Sequence, residues 1–276
     1  MKLVGTVILY EPPKNIFQNI QSYIDQLDHL YIFDNSTASH KEIPKNISQK
    51  STYFHSGKNE GISKRLNQAL VEATKDKYEM LLTMDQDSSF EQGDLEKYKT
   101  IAYTHPDFGN IAMFGIRYYP LKQNDDKAPA YNKLLITSGG LLNIEIANKL
   151  GGFDENLFID GVDTDFCLKA FQGNYKTVLI RELSLKHELG EEKTTRTLLL
   201  KKEKRKFHQP TRLYYIIRNH LYLRNKYPHQ LTYLKHKIVL NEIKNCLLYA
   251  NNFIQYIRAI LKSIYDFKKG KFGGLN

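Results

Sequence analysis

Glu79-Met80-Leu81-Leu82-Thr83-Met84-Asp85-Gln86-Asp87 decides the reading of this chain. A short apolar run, too brief for a helix, stops at an acidic turn, as a buried strand does when it hands over to a loop. Upstream, Leu3 to Tyr10 is a similar β-branched run, stopped by Pro12-Pro13, and Ile16 to Leu27 follows at helical spacing. Leu30 to Phe33 is a further strand, closed by the turn signal Asp34-Asn35-Ser36. A weaker strand is expected near Ser51 to Phe54. From Gly61 to Ala73, residues Ile62, Leu66, Ala69, Leu70 and Ala73 share one helical face. This alternation predicts an α/β open sheet with parallel strands. Such sheets bind ligands beyond the carboxyl ends of their strands, where Asp34 and Asp85-Gln86-Asp87 both fall.

The middle of the chain is less regular. Ile111 to Arg117, Leu134 to Thr137 and Thr177 to Ile180 are expected strands, with Ser138-Gly139-Gly140 as a tight turn. Ile144 to Leu150 and Asp163 to Phe171 are expected helices, and the pattern is helical from about Thr211 onward. There is no internal repeat and no low-complexity segment.

The 276 residues, 41% hydrophobic and 25% charged, suit one large domain or one domain with a helical annex. Two cysteines, Cys167 and Cys246, make no disulfide framework, so a reducing compartment is expected. No signal-peptide pattern opens the chain, and no window reaches the ~18 to 20 apolar residues of a membrane span. The net charge of +10 is uneven: from Arg196 to Asn276 there are 18 Lys and Arg against 3 Asp and Glu, a balance of +15. Residues 1–195 hold 22 basic and 27 acidic residues, a balance of −5. This predicts chemistry in the acidic body and adhesion to an anionic surface in the basic tail.

Asp85 and Asp87, one residue apart at a strand end, can offer oxygens to a hard divalent cation that also binds a diphosphate. A solvated turn is the plain alternative. In Phe158-Ile159-Asp160-Gly161-Val162-Asp163-Thr164-Asp165-Phe166-Cys167-Leu168, Asp163 falls in a first helical turn, where exposed amides favour a carboxylate. It suits proton acceptance from a hydroxyl, or else Asp160 or Asp163 caps the helix. His187 suits a third metal ligand or a purely structural role. Asn59-Glu60-Gly61 opens a helix, which fits an approach to a nucleotide as well as ordinary turn chemistry.

Taken in order, Tyr10-Glu11-Pro12, Asp34-Asn35-Ser36, Asn59-x-Gly61-x5-Asn67, Asp85-x-Asp87, Ser138-Gly139-Gly140, Gly151-Gly152-Phe153-Asp154, Asp163-x-Asp165 and His187-x-x-Gly190 resemble the inverting family 2 glycosyltransferases of GT-A fold. The resemblance spans roughly residues 1–225. Met84-Asp85-Gln86-Asp87-Ser88, the Phe158–Leu168 segment and Arg212-x-Tyr214-Tyr215-x2-Arg218-Asn219 make the chain look most like bacterial rhamnosyltransferases.

The resemblance implies a GT-A mixed sheet flanked by helices over residues 1–205 and a basic helical extension over 206–276. It implies Mg2+ or Mn2+ held by Asp85, Asp87 and His187. Tyr10, Asp34, Asn59, Gly61, Arg65, Asp85, Gly139, Gly140, Arg212 and Arg218 would line the nucleotide-sugar site. Asp163 would be the general base, oriented by Asp165. This chain has Asp165 and Lys169 where many relatives carry Glu and Arg, and Val162 where the family often has an acid, which keeps Asp160 open as the base.

The implied reaction moves a sugar, L-rhamnose from dTDP-L-rhamnose, to a saccharide or lipid-linked saccharide in surface-polysaccharide assembly. The alternatives are a galactosyl- or galactofuranosyltransferase using a UDP-sugar, or an inactive nucleotide-sugar-binding membrane adaptor. A nucleotidyltransferase would want a Gly-rich phosphate loop near the first strand, which Tyr10-Glu11-Pro12-Pro13 does not supply. In the tail, Lys201-Lys202-x-Lys204-Arg205-Lys206 reads as a basic loop. Ile243, Leu247, Ile254, Ile257, Leu261 and Ile264 recur near helical spacing among basic residues. Such a helix suits peripheral binding to an anionic membrane at the cytoplasmic inner face, packing on the catalytic domain, or a homodimer seam. No nucleic-acid-binding motif is visible.

Overall fold

Alternating strands and helices build the first two-thirds of the chain, and helices dominate the rest. The computed structural model describes all residues except 1, 14, 41, 119–125, 132–133, 188–192, 197–201, 206–207, 232, 250–252 and 276. It also omits the side chains of 187, 193–196, 202–205, 233–236, 238 and 249. In chain order the elements begin β1 (Leu3–Leu9), α1 (Ile16–Ile24), β2 (His29–Asp34), α2 (Lys45–Ser48), β3 (Ser51–His55), α3 (Ile62–Lys75), β4 (Met80–Asp85), β5 (Ser88–Ser89) and α4 (Asp94–Tyr103). There follow β6 (Ile111–Arg117), β7 (Ala130–Tyr131), β8 (Gly140–Asn143), α5 (Ile144–Lys149), α6 (Val162–Gln172), β9 (Lys176–Ser184) and β10 (Lys186–His187). The last are β11 (Lys193–Arg196), β12 (Lys202–Arg205), α7 (Pro210–Lys226), α8 (Tyr233–Tyr249) and α9 (Phe253–Lys268).

Packing groups these residues into two units, 1–155 with 163–188 and 156–162 with 189–276. The seven residues that precede Asp163 therefore belong with the C-terminal helices.

The first unit is a mixed sheet in the order β3-β2-β1-β4-β8-β6-β9-β7. Strands β3, β2, β1 and β4 are parallel, and β8 runs antiparallel to β4 and β6. The chain leaves β1 on one side for β2 and returns on the other as β4, so their carboxyl ends form a topological switch point. The apolar strand sequences are buried on both faces, with Val4, Val7, Leu81 and Leu82 at 0% exposure. Helix α1 turns Ile16, Ile20, Tyr23 and Ile24 inward, and α3 turns Leu66, Ala69, Leu70 and Ala73 inward, as their 3.6-residue spacing requires.

Leu134 to Thr137 is not a strand; the ladder begins at Gly140 and pairs with β4. The backbone before it is satisfied by side chains instead. Leu135 N–H donates to Cys167 Sγ at 3.3 Å, and Thr137 carbonyl accepts from Thr83 Oγ1. Of the expected basic loop, residues 202–205 form β12, paired antiparallel with β11, and Lys201 and Lys206 lie outside the described residues.

The second unit is held by Leu213, Ile217, Cys246 and Tyr256, with Leu221, Val239, Ile243, Leu247 and Ile260 packed against them. Pro210 opens α7, where its missing N–H costs nothing. The single apolar stripe expected from Ile243 to Ile264 is divided between two helices. Ile243 and Leu247 of α8 point inward, whereas Ile254, Leu261 and Ile264 of α9 are exposed.

Candidate active site

Strands β1 and β4 lie in register with Ile8 opposite Asp85, which brings Tyr10 beside the acidic turn. Gln86 joins the two loops. Its Oε1 accepts from Tyr10 N–H at 2.9 Å, and its Nε2 donates to Tyr10 carbonyl at 3.1 Å. Asn19 Nδ2 donates to the Gln86 carbonyl at 2.9 Å. The sequence pattern marks the aspartates and not the residue between them. The available signal is chemical: a primary amide carries an acceptor and a donor side by side, so it can pair at once with the N–H and the C=O of one residue. Glu11, at φ 43, donates its N–H to Ser36 Oγ at 2.8 Å and ties the β1 loop to the β2 loop. The Tyr10 ring stays 54% exposed.

Asp34, at the end of β2, has no exposed surface. Its Oδ1 accepts from Ser36 N–H at 2.8 Å. Its Oδ2 accepts from His40 N–H at 3.2 Å and Tyr53 hydroxyl at 2.5 Å, with His40 Nδ1 at 2.8 Å. Burial by itself raises the pKa, but these hydrogen bonds outweigh it and hold the carboxyl at about 2. Asp34 therefore anchors the loop over residues 35–40 from beneath. A cavity of about 580 Å³ opens beside that loop, lined by Pro12, Pro13, Ile16, Phe17, Ser39 and His40 among others, within the size range of small-molecule sites.

Asn59 and Gly61 form the turn into α3. Asn59 Oδ1 accepts from Gly61 N–H at 3.0 Å, and Gly61 adopts φ 81. Arg65 is 3% exposed. It donates to Asn35 Oδ1 at 2.8 Å, Gln68 Oε1 at 2.9 Å and Ser56 Oγ at 2.8 Å, and pairs with Glu60 at 2.9 Å. Asn35 Nδ2 reaches Gly61 carbonyl at 3.3 Å. Arg65 thus braces the β2 loop against the start of α3. Asn67, in the same helix, receives Phe153 N–H at 2.7 Å and donates to Phe153 carbonyl at 2.9 Å, fixing the Gly151-Gly152-Phe153 loop.

The Ser138-Gly139-Gly140 turn closes over the end of β4. Ser138 Oγ accepts from Asp85 N–H at 3.3 Å and lies 2.8 Å from Ser88 Oγ. Gly139 N–H donates to Thr83 carbonyl at 2.8 Å. At φ 70, a Cβ on Gly139 would stand 2.6 Å from Ile116 Cγ2, so glycine is required there by both backbone and space.

Asp85 and Asp87 are partly buried on either side of Gln86. The backbone of His187 pairs with Ser88 through β10 and β5, bringing it next to Asp87 in the ladder; its side chain lies outside the described residues. Among the described residues no three His, Cys, Asp or Glu side chains stand close enough together to hold a metal ion. The donor chemistry of Asp85 and Asp87 still fits a hard cation that takes its remaining oxygens from a diphosphate.

Asp163 lies in the first turn of α6, partly exposed, and its Oδ1 accepts from Thr164 N–H at 2.6 Å. Asp165 is fully buried and pairs with Lys169 at 3.4 Å. Lys169 Nζ in turn donates to Gly152 carbonyl. This acid therefore positions a loop rather than meeting solvent.

Arg212, Arg218 and Asp160 belong to the second unit. Arg212 is half exposed and pairs with Asp160 Oδ1 at 3.1 Å. Arg218 is 1% exposed. Its Nε donates to Asn219 Oδ1 at 3.0 Å, Nη1 to Gly273 carbonyl at 2.7 Å, and Nη2 to the Asn156 and Leu157 carbonyls at 3.0 and 3.3 Å. Asn219 Nδ2 lies 2.7, 2.7 and 2.8 Å from the carbonyls of Leu157, Ile159 and Asp160. This pair gathers the carbonyls of Asn156, Leu157, Ile159 and Asp160, in a segment where Phe158 and Asp160 have positive φ. A guanidinium engaged in this way leaves no donor for a diphosphate, unlike the donor-site role expected of Arg218.

Strand order, switch-point crevice and acidic turn define a GT-A glycosyltransferase fold, and comparison with known proteins agrees. Residues 6–111 match the model of Glycosyl transferase family 2. Over those residues the chain is similar to the family 2 glycosyltransferases, and its fold is that of a GT-A glycosyltransferase. Over 99% of its length it is 25% identical to the dTDP-rhamnosyl transferase RfbF of Shigella flexneri, covering 97% of that protein. Among solved structures it shares the fold of S. aureus TarS 1–349 in complex with UDP-GlcNAc, with TM-score 0.58, 15% identity and coverage of 97% of this chain and 80% of that one. A second structure of that fragment gives TM-score 0.56 and 16% identity, over 99% of this chain and 83% of that one.

Proposed function

We propose that the protein transfers L-rhamnose from dTDP-L-rhamnose, with inversion, to a hydroxyl of a saccharide or lipid-linked saccharide in surface-polysaccharide assembly. The carrying observation is the likeness to a dTDP-rhamnosyl transferase along almost the whole of both chains. The base is assigned to the crevice beside the 35–40 loop, with the exposed Tyr10 ring available to stack on it. Asp85 and Asp87, with His187, are the residues that would hold Mg2+ or Mn2+. Such a cation supplies charge neutralisation for the departing nucleotide. Gly139 and Gly140 form the floor beside β4, and Asp163 takes the proton of the attacking hydroxyl at its carboxylate. Asn59, Gly61 and Arg65 hold the nucleotide side of the crevice in shape, and Asp165 holds the loop at Gly152.

A UDP-sugar donor is the second reading, favoured by the shared fold with a protein solved with UDP-GlcNAc. The test is release of nucleotide from dTDP-rhamnose, UDP-galactose and UDP-GlcNAc by purified protein, with Mg2+ or Mn2+ and with EDTA. Turnover of dTDP-rhamnose alone is expected, abolished by EDTA and restored by either ion. Full activity in EDTA removes the metal, and selective turnover of a UDP-sugar replaces the donor.

The second unit is assigned to adhesion at the anionic inner face of the cell membrane. Its basic balance of +15 over residues 196–276 supports this, since each Lys or Arg near such a surface contributes about 1 kcal/mol, screened by salt. Co-sedimentation of the protein with anionic but not neutral vesicles, reversed by salt, is the expected result. Equal partition onto both kinds of vesicle would oppose it.

A further inference from the structure

Helix α9 carries apolar side chains on two sides, one packed on the core of its unit and one exposed. Tyr256, Ser263 and Asp266 lie on one side of it and are buried. On the other side Phe253, Ile254, Leu261 and Tyr265 are 54, 66, 63 and 54% exposed. At about 100° per residue, those four side chains span roughly a third of the helix circumference. A helix packed on a core in water presents polar residues on its outward side, and a contiguous exposed apolar face marks an interaction surface.

Arg258, Lys262 and Lys269 are exposed along one border of that face. The one acid of α9, Asp266, is 2% exposed and is bound to Tyr214 hydroxyl and Lys262 Nζ, each at 2.9 Å. The outward side thus presents apolar and cationic groups and no carboxylate. Helix α8 repeats the mixture: Lys237, Leu240, Lys244 and Leu248 are exposed at spacings of three and four residues, while Ile243 and Leu247 pack inward.

We propose that the outward faces of α9 and α8 lie along an anionic lipid surface, with Ile254, Leu261 and Tyr265 at the headgroup–acyl boundary and Arg258 and Lys269 on the phosphates. This rests on the adhesive role given to the second unit and names the face that performs it. Among the described residues no helix is long and apolar enough to cross a membrane, so the contact lies in the plane of the interface. A second copy of the chain fits this face less well. Two copies packed with α9 antiparallel would set their basic borders side by side, whereas anionic headgroups neutralise them.

The chain contains no tryptophan, so Leu261→Trp places a single tryptophan, excited apart from the tyrosines, on this face of the whole chain. Phosphatidylcholine vesicles containing phosphatidylglycerol should shift its emission to the blue and brighten it, and phosphatidylcholine alone should not. Val71→Trp on α3, a position 62% exposed in the first unit, should respond to neither. Ile254→Ser combined with Leu261→Ser should weaken binding to anionic vesicles at least tenfold. Thermal unfolding and nucleotide binding should not move, since both positions are exposed. If wild-type protein co-sediments with anionic vesicles while the Leu261→Trp emission stays fixed, this face is wrong though the adhesive role stands. If wild type does not co-sediment, both fail. A blue shift without lipid that grows with protein concentration replaces the membrane by a second copy.

Discussion

Two polar places in this molecule are built in opposite senses. At the carboxyl ends of β1, β2 and β4, the loops are fixed by Gln86, Ser36, Ser138 and the buried Asp34, while Asp85 and Asp87 keep part of their surface. In the second unit, Arg218 buries its guanidinium and directs it at oxygens of its own unit. Both places are written in the sequence as motifs rich in charge. The contrast separates a charged group filled by internal partners, which organises the fold, from one that keeps surface a ligand can reach.

The largest expected effect concerns Asp163, which keeps surface at the start of α6. Asp163→Asn should lower turnover by about 10²- to 10⁴-fold and leave donor binding nearly unchanged. Asp160→Asn, beside Arg212, should cost far less. Kinetics and donor titration of the two variants decide this. A dead Asp160→Asn with an active Asp163→Asn transfers the base, and loss of donor binding in both makes the segment structural.

Arg218→Met breaks the comparison from the other side. Several buried carbonyls lose their donor, at about 1–3 kcal/mol each, so the second unit should lose about 3–5 kcal/mol in urea unfolding. A variant of unchanged stability but weakened nucleotide binding would return Arg218 to the donor site.

Asp34 has a smaller effect and a pH signature. The free carboxyl titrates near 3.8 and the folded one near 2, so its stabilisation is complete above pH ~4 and disappears as pH falls toward 2. The linkage amounts to about 2 kcal/mol. Urea midpoints measured across that window should fall for wild type and stay flatter for Asp34→Asn; parallel curves would refute the assignment.

Gln86 is the mildest case. Gln86→Leu removes two hydrogen bonds of about 1 kcal/mol each. It should raise the donor KM by up to about tenfold with little change in kcat, because the aspartates remain and only their frame loosens. A fall in kcat alone would make Gln86 part of the chemistry.

Much of the first unit was legible in the sequence. Apolar runs that end in Asp34 and Asp85, alternating with helical spacing at Ile16–Leu27 and Gly61–Ala73, lead to four parallel strands and a switch point. These signals are local, because burial on both faces of a strand leaves a run and burial of one helix face leaves a period. The strand at Gly140–Asn143 was not legible, nor was the irregular approach to it. Whether Leu134–Thr137 joins a ladder depends on Cys167 and Thr83, which are remote in sequence.

By itself the sequence determined the class of sheet, the acidic turn at a strand's carboxyl end and the basic balance of the tail, each of which depends on residues near one another along the chain. Only the tertiary structure decided which charged residues are spent internally. Asp34 and Arg65 brace loops, Asp165 holds Lys169, and Arg218 with Asn219 gathers the carbonyls that precede Asp163. It also decided that α9 turns Ile254 and Leu261 outward and Ser263 and Asp266 inward. Hydrogen-bond saturation and burial are set by partners tens of residues away, so no local pattern of charge or period encodes them.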